Sequence, residues 1–346
     1  MKRILLIGAG HGHLVVLRSL ADKPLYGARI TLVTPYPTLV YSGMLPGLLA
    51  GHYRRADAQI DVAALAERAY VEFEQGEVTR LDAANRLATL KDGRSFGYDF
   101  ASLNAGSLID ASVPGAEHAL PVKPFERFLS QLRLAERVAV VGAGAGGAEI
   151  AMALRHRGAQ VTLYSEHPLQ PPALAERVVR ELRRRKVDFR PGMAVTAVEA
   201  GPVVIAGSAR QAFDLVMLAT GAKALPWLRE SGLATDERGF ALVHPTLQSV
   251  SHPEVFVLGD CATLGESPHP KSGVYAVRHG ESLVANVRRL FSSHPLEPYV
   301  PQKNALLLLT CGARYVVAQR GNWSAQGRAL WWLKNRIDRR WVASFR

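Results

Sequence analysis

The sequence opens on "MKRILLIGAGHGHLVVLRSL" (1–20), and a second segment of the same design, "RVAVVGAGAGGAEIAMALRHRG", occupies 137–158. In each segment a short apolar run leads into a glycine-rich loop, and an apolar stretch with helical spacing follows. This order is typical of the strand, phosphate-binding loop and helix that begin a βαβ unit. The two segments therefore predict an α/β fold whose parallel sheets are buried on both faces.

A second pair of matching segments completes an internal repeat. The segments are "YDFASLNAG" (98–106) and "FDLVMLATG" (213–221), and each is an apolar strand that ends in a glycine, Gly106 or Gly221. We infer two related Rossmann-like dinucleotide-binding domains. The later apolar strand 255–258 is not needed by the second domain, so we assign it to the first. The second domain is then an insertion in the first.

The proline- and glycine-bearing joins place the domain boundaries. The first domain comprises residues 1–118 and 245–291, and the inserted domain comprises 119–244. Residues 292–346 form a small C-terminal region, for which the pattern predicts two strands and an amphipathic helix.

Composition narrows the function classes. The chain has 346 residues, 48% of them hydrophobic, and a net charge of +12. Its two cysteines are too few for a disulfide scaffold, and no Cys/His cluster has metal-ligand spacing. The basic stretches carry no nucleic-acid-binding motif, so we predict no nucleic-acid partner and no metal. The low cysteine count favours a reducing compartment, so we expect a cytoplasmic protein. No apolar run approaches the ~18 residues that cross a bilayer.

The second glycine loop has the full GxGxxG spacing in Gly142, Gly144 and Gly147. The first glycine permits a tight turn, the second lets a pyrophosphate approach the backbone, and the third lets helix and strand pack closely. An acid about twenty residues further on would hold the adenosine ribose, and Glu166 lies near that place. A carboxylate there favours NADH over NADPH, whereas the neighbouring His167 and the segment 155–157 ("RHR") leave NADPH open.

The first glycine loop departs from this rule. The third glycine position is occupied by His13, Gly12 is displaced by one residue, and Thr34 stands where an acid is expected. A hydroxyl or backbone group could still bind ribose, and an HxH metal site lacks a third ligand. We therefore assign to cofactor binding Thr34, the strand-end glycines Gly106 and Gly221, and the loop residues Gly8, Gly10, His11, Gly12 and His13.

These motifs, together with "VFVLGDCA" (255–262), resemble the two-dinucleotide-binding-domain flavoproteins of the pyridine nucleotide-disulfide oxidoreductase superfamily. Within it the chain is most similar to type II NADH dehydrogenases, and more closely to the flavoprotein module that some bacteria fuse to selenide, water dikinase. The stretches "YSGMLPGLLAGHY" (41–53) and "PKSGVYAVRHG" (270–280) carry this likeness. The resemblance implies that the first domain binds FAD, that the inserted domain binds NAD(P)H, and that hydride passes between them.

The resemblance also implies roles for single residues. Gly259 and Asp260 would place a carboxylate on the ribityl chain of the flavin. Lys271, before a helix that starts near Ser272, would help that helix N-terminus to stabilise the reduced ring. Glu149 would lie near the junction of nicotinamide and flavin. For each of the last two residues an alternative is open. Lys271 could be a solvated lysine at a helix start, and Glu149 could simply interact favourably with the dipole of its helix.

Departures from the family pattern bear on the electron acceptor. No cysteine precedes Cys261, which excludes thiol–disulfide exchange by a CxxxxC pair. The glutamines that type II NADH dehydrogenases place beside quinone are replaced by Val274 and by Arg278 or His279. We expect an FAD-dependent NAD(P)H dehydrogenase that reduces a quinone-like or other small-molecule acceptor. The alternative is a regulatory flavoprotein that senses NADH and serves a partner in selenium or sulfur metabolism.

The C-terminal helix gives the last prediction. Its apolar stripe comprises Leu330, Leu333, Ile337 and Trp341, and most of its basic residues lie elsewhere on the wheel. Aromatic and basic residues together suit an anionic bilayer surface, which would place the protein peripherally on the inner face of the membrane. The stripe could instead pack on the protein's own core or on the second subunit of a homodimer.

Overall fold

A computed structural model describes residues 1–169, 172–265 and 267–346 of the chain. None of the helices in these residues is long and apolar enough to cross a membrane. The elements of the first 118 residues are β1 (Lys2–Ile7), α1 (His11–Asp22), β2 (Ala28–Thr34), β3 (Thr38–Val40), α2 (Leu45–Leu49), α3 (Arg55–Ala58), β4 (Gln59–Asp61), α4 (Val62–Arg68), β5 (Glu72–Gln75), β6 (Val78–Asp82), β7 (Leu87–Leu90), β8 (Ser95–Gly97), β9 (Phe100–Leu103) and β10 (Leu108–Ile109). Short 3-10 turns occupy Ser42–Met44, Ala116–His118 and Gly259–Cys261.

The remaining elements follow in chain order. Up to residue 244 they are β11 (Leu120–Pro121), α5 (Phe125–Gln131), β12 (Arg137–Val141), α6 (Ala145–His156), β13 (Gln160–Ser165), α7 (Pro172–Arg184), β14 (Asp188–Pro191), β15 (Ala197–Glu199), β16 (Val203–Ala206), β17 (Ala209–Ala212), β18 (Leu215–Leu218), β19 (Ala222–Lys223), α8 (Pro226–Glu230) and β20 (Ala241–Val243). The last are β21 (Val255–Val257), β22 (Ala262–Leu264), α9 (Gly273–Phe291), β23 (Leu307–Thr310), β24 (Val316–Arg320), β25 (Trp323–Gly327) and α10 (Arg328–Ala343).

Two five-stranded parallel sheets form the centre of the fold. The first has the order β21-β9-β1-β2-β5, and the second has the order β11-β18-β12-β13-β14. In each sheet a strand that leads into a glycine loop, β1 or β12, lies in the middle. The fold class is therefore confirmed. β21 pairs in parallel with β9, so the chain returns to the first sheet after completing the second. The residue boundaries given above for the domains stay a prediction.

The C-terminal region differs from the prediction of two strands. β23, β24 and β25 form a three-stranded antiparallel sheet, and α10 follows β25 directly. The third strand has the sequence "WSAQG" (323–327), whose only large apolar residue is Trp323. Such a strand lacks the apolar alternation by which strands are found in sequence.

Helices α1 and α9 pack against each other at a contact between two glycines. A Cβ atom on Gly280 would lie 2.5 Å from the carbonyl oxygen of Gly12, which is too close for any side chain. This contact gives Gly12 its role. The displaced glycine of the first loop serves packing between helices, whereas a pyrophosphate would lie at the turn formed by Gly8 and Gly10.

We predict that Gly280→Ala destabilises the protein by roughly 1–3 kcal/mol, because the added methyl must push α9 away from the backbone of α1. The matched control is Gly146→Ala, since Gly146 also lies in a helix but a Cβ there would meet nothing within 4 Å. That control should raise stability by about 0.5–1 kcal/mol. Urea unfolding of both variants is the measurement, and equal stability of the two would contradict the packing account.

Candidate functional site

A cleft of about 2070 Å³, counted out to open solvent, lies at the carboxyl ends of the strands of the first sheet. In parallel α/β sheets this edge is where ligands bind. Of the residues assigned from sequence to cofactor binding, the cleft is lined by Gly8, Gly10, His11, Thr34, Gly106, Asp260 and Lys271. The same surface includes residues that sequence reasoning did not single out, among them Asn104, Ser107 and Lys123.

Asn104 holds the first glycine loop in place. Its backbone carbonyl accepts a hydrogen bond from Gly10 N (3.0 Å), and its side-chain oxygen accepts one from His13 N (3.0 Å). Its side-chain nitrogen donates to Leu258 O (3.1 Å) at the end of β21. One buried side chain therefore connects the loop after β1, the end of β9 and the end of β21.

The His13 side chain is engaged inside the protein, beneath the first glycine loop, and its assignment to cofactor binding stays a prediction. It is fully buried, its Nδ1 lies 2.5 Å from Gly8 O, and its Nε2 lies 2.7 Å from the hydroxyl of Ser102. Because a carbonyl only accepts, Nδ1 carries the proton and Nε2 accepts from Ser102. Burial lowers the pKa of His13 to about 4, so the ring is neutral. The ring fills the space beneath the loop and satisfies the carbonyl of Gly8.

His11, in contrast, lies at the cleft. Its Nε2 is 3.2 Å from the Ser42 hydroxyl, and its ring stacks against Trp341 of α10 with centroids 6.5 Å apart. Burial lowers the pKa of His11 to about 4, a shift that the Asp260 charge opposes and the Lys123 charge increases. A neutral imidazole therefore faces the place where the loop would meet a cofactor.

The Asp260 carboxylate is held by two donors. Lys123 Nζ and the Ser107 hydroxyl each lie 2.8 Å from its Oδ2. Burial would raise the pKa of Asp260, but the charge and hydrogen bond of Lys123 lower it overall, so the group is ionised. In the part of the chain that the structure describes, no hydrogen bond uses Oδ1, and the Asp260 side chain, which lines the cleft, is 14% exposed. Lys123 precedes a turn into α5 and shows no sequence motif of its own.

Lys271 lines the cleft but its ammonium is engaged elsewhere. Its Nζ donates to Ala262 O and to the Thr263 hydroxyl (2.9 Å), and it lies 4.1 Å from the ring centre of Phe240. Burial lowers the pKa of Lys271 to about 8. The helix that follows begins at Gly273, so its N-terminus is at the cleft as the sequence predicts.

The second glycine loop has an open surface. A Cβ on Gly147 would collide with the carbonyl oxygen of Gly142, which explains the need for the third glycine. A Cβ on Gly144, at the start of α6, would have no neighbour within 4 Å, so a ligand could approach the backbone there. Glu166 follows β13 with 66% of its side chain exposed, and Gly221 is exposed after β18. These residues lie where the carboxyl edge of the second sheet meets solvent.

Glu149 belongs to a buried charged cluster with the C-terminal helix. Its carboxylate accepts a hydrogen bond from Thr310 N (2.7 Å) in β23. Burial raises the pKa of Glu149 to about 7, while the Lys334 charge lowers it and the Asp338 charge raises it. Lys334 Nζ in turn lies 2.6 Å from Asp338 Oδ2 and 2.7 Å from Gly43 O. The cluster thus joins α6, α10 and the segment beside the cleft.

The structure divides the predicted apolar stripe of α10 between the core and the solvent. The inward face of the helix comprises Trp331, Lys334, Asp338 and Val342. Of the stripe residues, Leu330 and Trp341 pack against the core, whereas Leu333 and Ile337 are 45% and 42% exposed. The neighbouring Trp332 is 62% exposed. The charges are buried because they satisfy each other and the Gly43 carbonyl, an arrangement that apolar periodicity cannot indicate.

Comparisons with known proteins agree with this architecture. Residues 2–280 match the family described as pyridine nucleotide-disulphide oxidoreductase. The chain is 25% identical over 321 residues to an NADH dehydrogenase-like protein of Bacillus subtilis, with 87% of each chain covered. It is 26% identical over 266 residues to ferroptosis suppressor protein 1 of Taeniopygia guttata, with 68% of each covered. The sulfide:quinone oxidoreductase structure from Aquifex aeolicus superposes with a TM-score of 0.80 at 17% identity, covering 98% of this chain and 90% of that one.

We predict that Lys334→Met raises the pKa of Glu149 and that Asp338→Asn lowers it, because the two charges act on the Glu149 carboxylate in opposite directions. The measurement is the pH titration of the Glu149 carboxyl carbon by ¹³C NMR, with Glu149→Gln identifying the signal. Arg336→Met, on the exposed side of α10, should leave the titration unchanged. Shifts of the same sign in both buried variants would refute the cluster's electrostatics.

Proposed function

The chain belongs to the pyridine nucleotide-disulphide oxidoreductase family, and we propose that it oxidises NAD(P)H at the second glycine loop and passes the electrons to a quinone-like small-molecule acceptor. It is an FAD-dependent oxidoreductase that uses NAD(P)H. FAD, when bound, supplies the group that takes a hydride from the nicotinamide and later gives up two electrons. The relatives give no support to the regulatory alternative. A homodimer and a link to a selenium-metabolism partner stay predictions.

The residues of the cleft at the first sheet fit FAD. The turn at Gly8 and Gly10 presents the N-terminus of α1, which suits a pyrophosphate. Thr34, at the end of β2, lies at the usual place of the ribose ligand. Asp260 lines the cleft, and its Oδ1, which accepts no hydrogen bond within the described part of the chain, can accept one from a ribityl hydroxyl. Lys123 orients this carboxylate by binding its other oxygen.

The open surface over α6 suits the nicotinamide cofactor. The backbone at Gly144 and Gly146 is accessible at the helix N-terminus, and Glu166 can bind the 2′- and 3′-hydroxyls of the adenosine ribose. A 2′-phosphate would be repelled by this carboxylate, so we propose NADH as the preferred donor. The role of the protein is to position the two cofactors and to exclude water between them.

The observation that carries the proposal is the free Oδ1 of Asp260 in a cleft that extends from the glycine loop to the start of α9. We predict that Asp260→Ala weakens FAD binding about 10- to 100-fold, because a hydrogen bond to a charged group contributes roughly 1.5–3 kcal/mol. The measurement is FAD affinity by quenching of flavin fluorescence. Asp22→Asn, an exposed aspartate at the end of α1, is the control and should bind as the parent does. Equal affinity in all three proteins would remove the basis for the ribityl assignment.

The outward face of α10 favours contact with a membrane surface. Trp332, Leu333 and Ile337 are exposed there beside Arg336 and Arg340. An apolar strip flanked by arginines binds best to anionic headgroups, and an acceptor dissolved in the bilayer would then be within reach.

We predict that the protein sediments with vesicles containing phosphatidylglycerol and that Ile337→Glu reduces this binding at least several-fold. Leu134→Glu introduces the same charge at a leucine that is 92% exposed and lies outside α10, so it should have no effect on vesicle binding. Binding that survives Ile337→Glu, or that is absent in the parent protein, would exclude this face as the membrane contact.

A further inference from the structure

Two histidines behind the cleft form a hydrogen-bonded chain. His279 Nδ1 lies 3.0 Å from Gly259 N, and its Nε2 lies 3.0 Å from His269 Nε2. The Nδ1 of His269 lies 3.1 Å from Pro270 O. A backbone amide only donates and a carbonyl only accepts, so the protons are fixed: His279 carries its proton on Nε2, and His269 carries its proton on Nδ1. His279 therefore donates to His269.

The pair fixes a segment of the cleft wall. His279 is fully buried in α9, whereas His269 lies in the segment 267–272, which also carries Lys271 and Ser272 at the cleft. His279 Nδ1 also accepts the hydrogen bond of the Gly259 amide, and Gly259 immediately precedes Asp260. The contact between the two imidazoles therefore helps to hold the segment 267–272 against the helical wall of the cleft, together with the bonds of Lys271 Nζ to Ala262 O and the Thr263 hydroxyl.

The surroundings of the pair are aromatic with few charges. The His269 ring stacks on Tyr275 with centroids 4.2 Å apart, and the His279 ring contacts Tyr299 edge-on at 4.7 Å. The charges that act on the pair are those of Lys271 and Asp260. The ion pair of Arg278 and Glu281 lies on α9 beside Tyr299.

We propose that His269 and His279 form a pH-operated clasp, which holds the segment 267–272 against α9 when both rings are neutral and releases it when His269 takes up a proton. A second proton on His269 turns its Nε2 into a donor that faces the Nε2–H of His279. If His279 moves its own proton to Nδ1 to restore that contact, it loses the Gly259 amide. Either way one buried hydrogen bond is broken, so the protonated state favours an open segment.

The direction of titration agrees with this geometry. Burial lowers the pKa of His269, and burial together with the His269 and Lys271 charges lowers the pKa of His279 to about 3. A histidine whose pKa is lowered by folding loses stabilisation as the pH falls below its ordinary value of about 6.5. The clasp is accordingly closed near neutral pH and is opened by acid.

The functional consequence rests on the proposed binding of FAD. Opening would remove the contact that holds His269, beside Lys271 and Ser272 at the cleft, and would loosen Gly259, so FAD should leave faster in acid. If one proton accompanies each opening, the release rate rises on the order of tenfold per pH unit below pH 6.5.

The test compares the FAD-loaded parent protein with His269→Gln. Glutamine can accept the His279 hydrogen bond through Oε1 but does not titrate, so its FAD release, followed by flavin fluorescence between pH 7.5 and 5.5, should be nearly constant. His118→Gln changes an exposed histidine and should behave as the parent does. Identical pH dependence in the parent and His269→Gln would overturn the clasp.

A second readout does not need FAD. Histidine ¹⁵N NMR at pH 7.5 should show His279 protonated on Nε2 and His269 on Nδ1, and the opposite tautomers would also overturn the proposal. A protein that shows these tautomers but takes up no FAD would refute the proposed function and leave the clasp standing.

Discussion

The side chain of Asn104 holds together the three strand ends from which the cofactor cleft is built. Its carboxamide receives the amide of His13 and donates to the carbonyl of Leu258, while its own backbone carbonyl receives the amide of Gly10. The strand that contributes Leu258 arrives only after the inserted domain has been completed. The carboxamide of one buried residue therefore sets the distance between the glycine loop and the Gly259–Asp260 turn, and the ligand must fit that distance.

In both glycine loops, the residue at the third glycine position lies against the carbonyl of the first glycine, but the two loops use different residues there. In the second loop, Gly147 lies against the carbonyl of Gly142 because no side chain fits there. In the first loop, His13 stands at the equivalent place and satisfies the Gly8 carbonyl with an imidazole hydrogen bond. The close contact between backbones in this region is instead the one between Gly12 of α1 and Gly280 of α9. The departure from the glycine rule thus reflects helix packing and leaves the phosphate-binding turn itself unchanged.

The fold could be predicted from sequence because it depends on local patterns that repeat: apolar strands, glycine turns and the return of a strand after the insertion. Gly8, which belongs to such a pattern, lines the cleft, and so does Asp260, to which the family resemblance pointed. Lys123 and Asn104 could not be found, since each acts through a partner more than ninety residues away. The inward face of α10 could not be read from sequence, because a helical wheel ranks residues by hydrophobicity, whereas the buried face contains the Lys334–Asp338 pair.

The cleft of the first sheet holds FAD in this account, and the nicotinamide carrier bound at the second loop reduces it. The visible absorption of the purified protein under anaerobic conditions, before and after addition of NADH or NADPH, tests both parts together. The account predicts a yellow protein whose flavin band bleaches on mixing, faster with NADH than with NADPH. A colourless protein that takes up no added FAD, or a yellow one that neither dinucleotide bleaches, would contradict it.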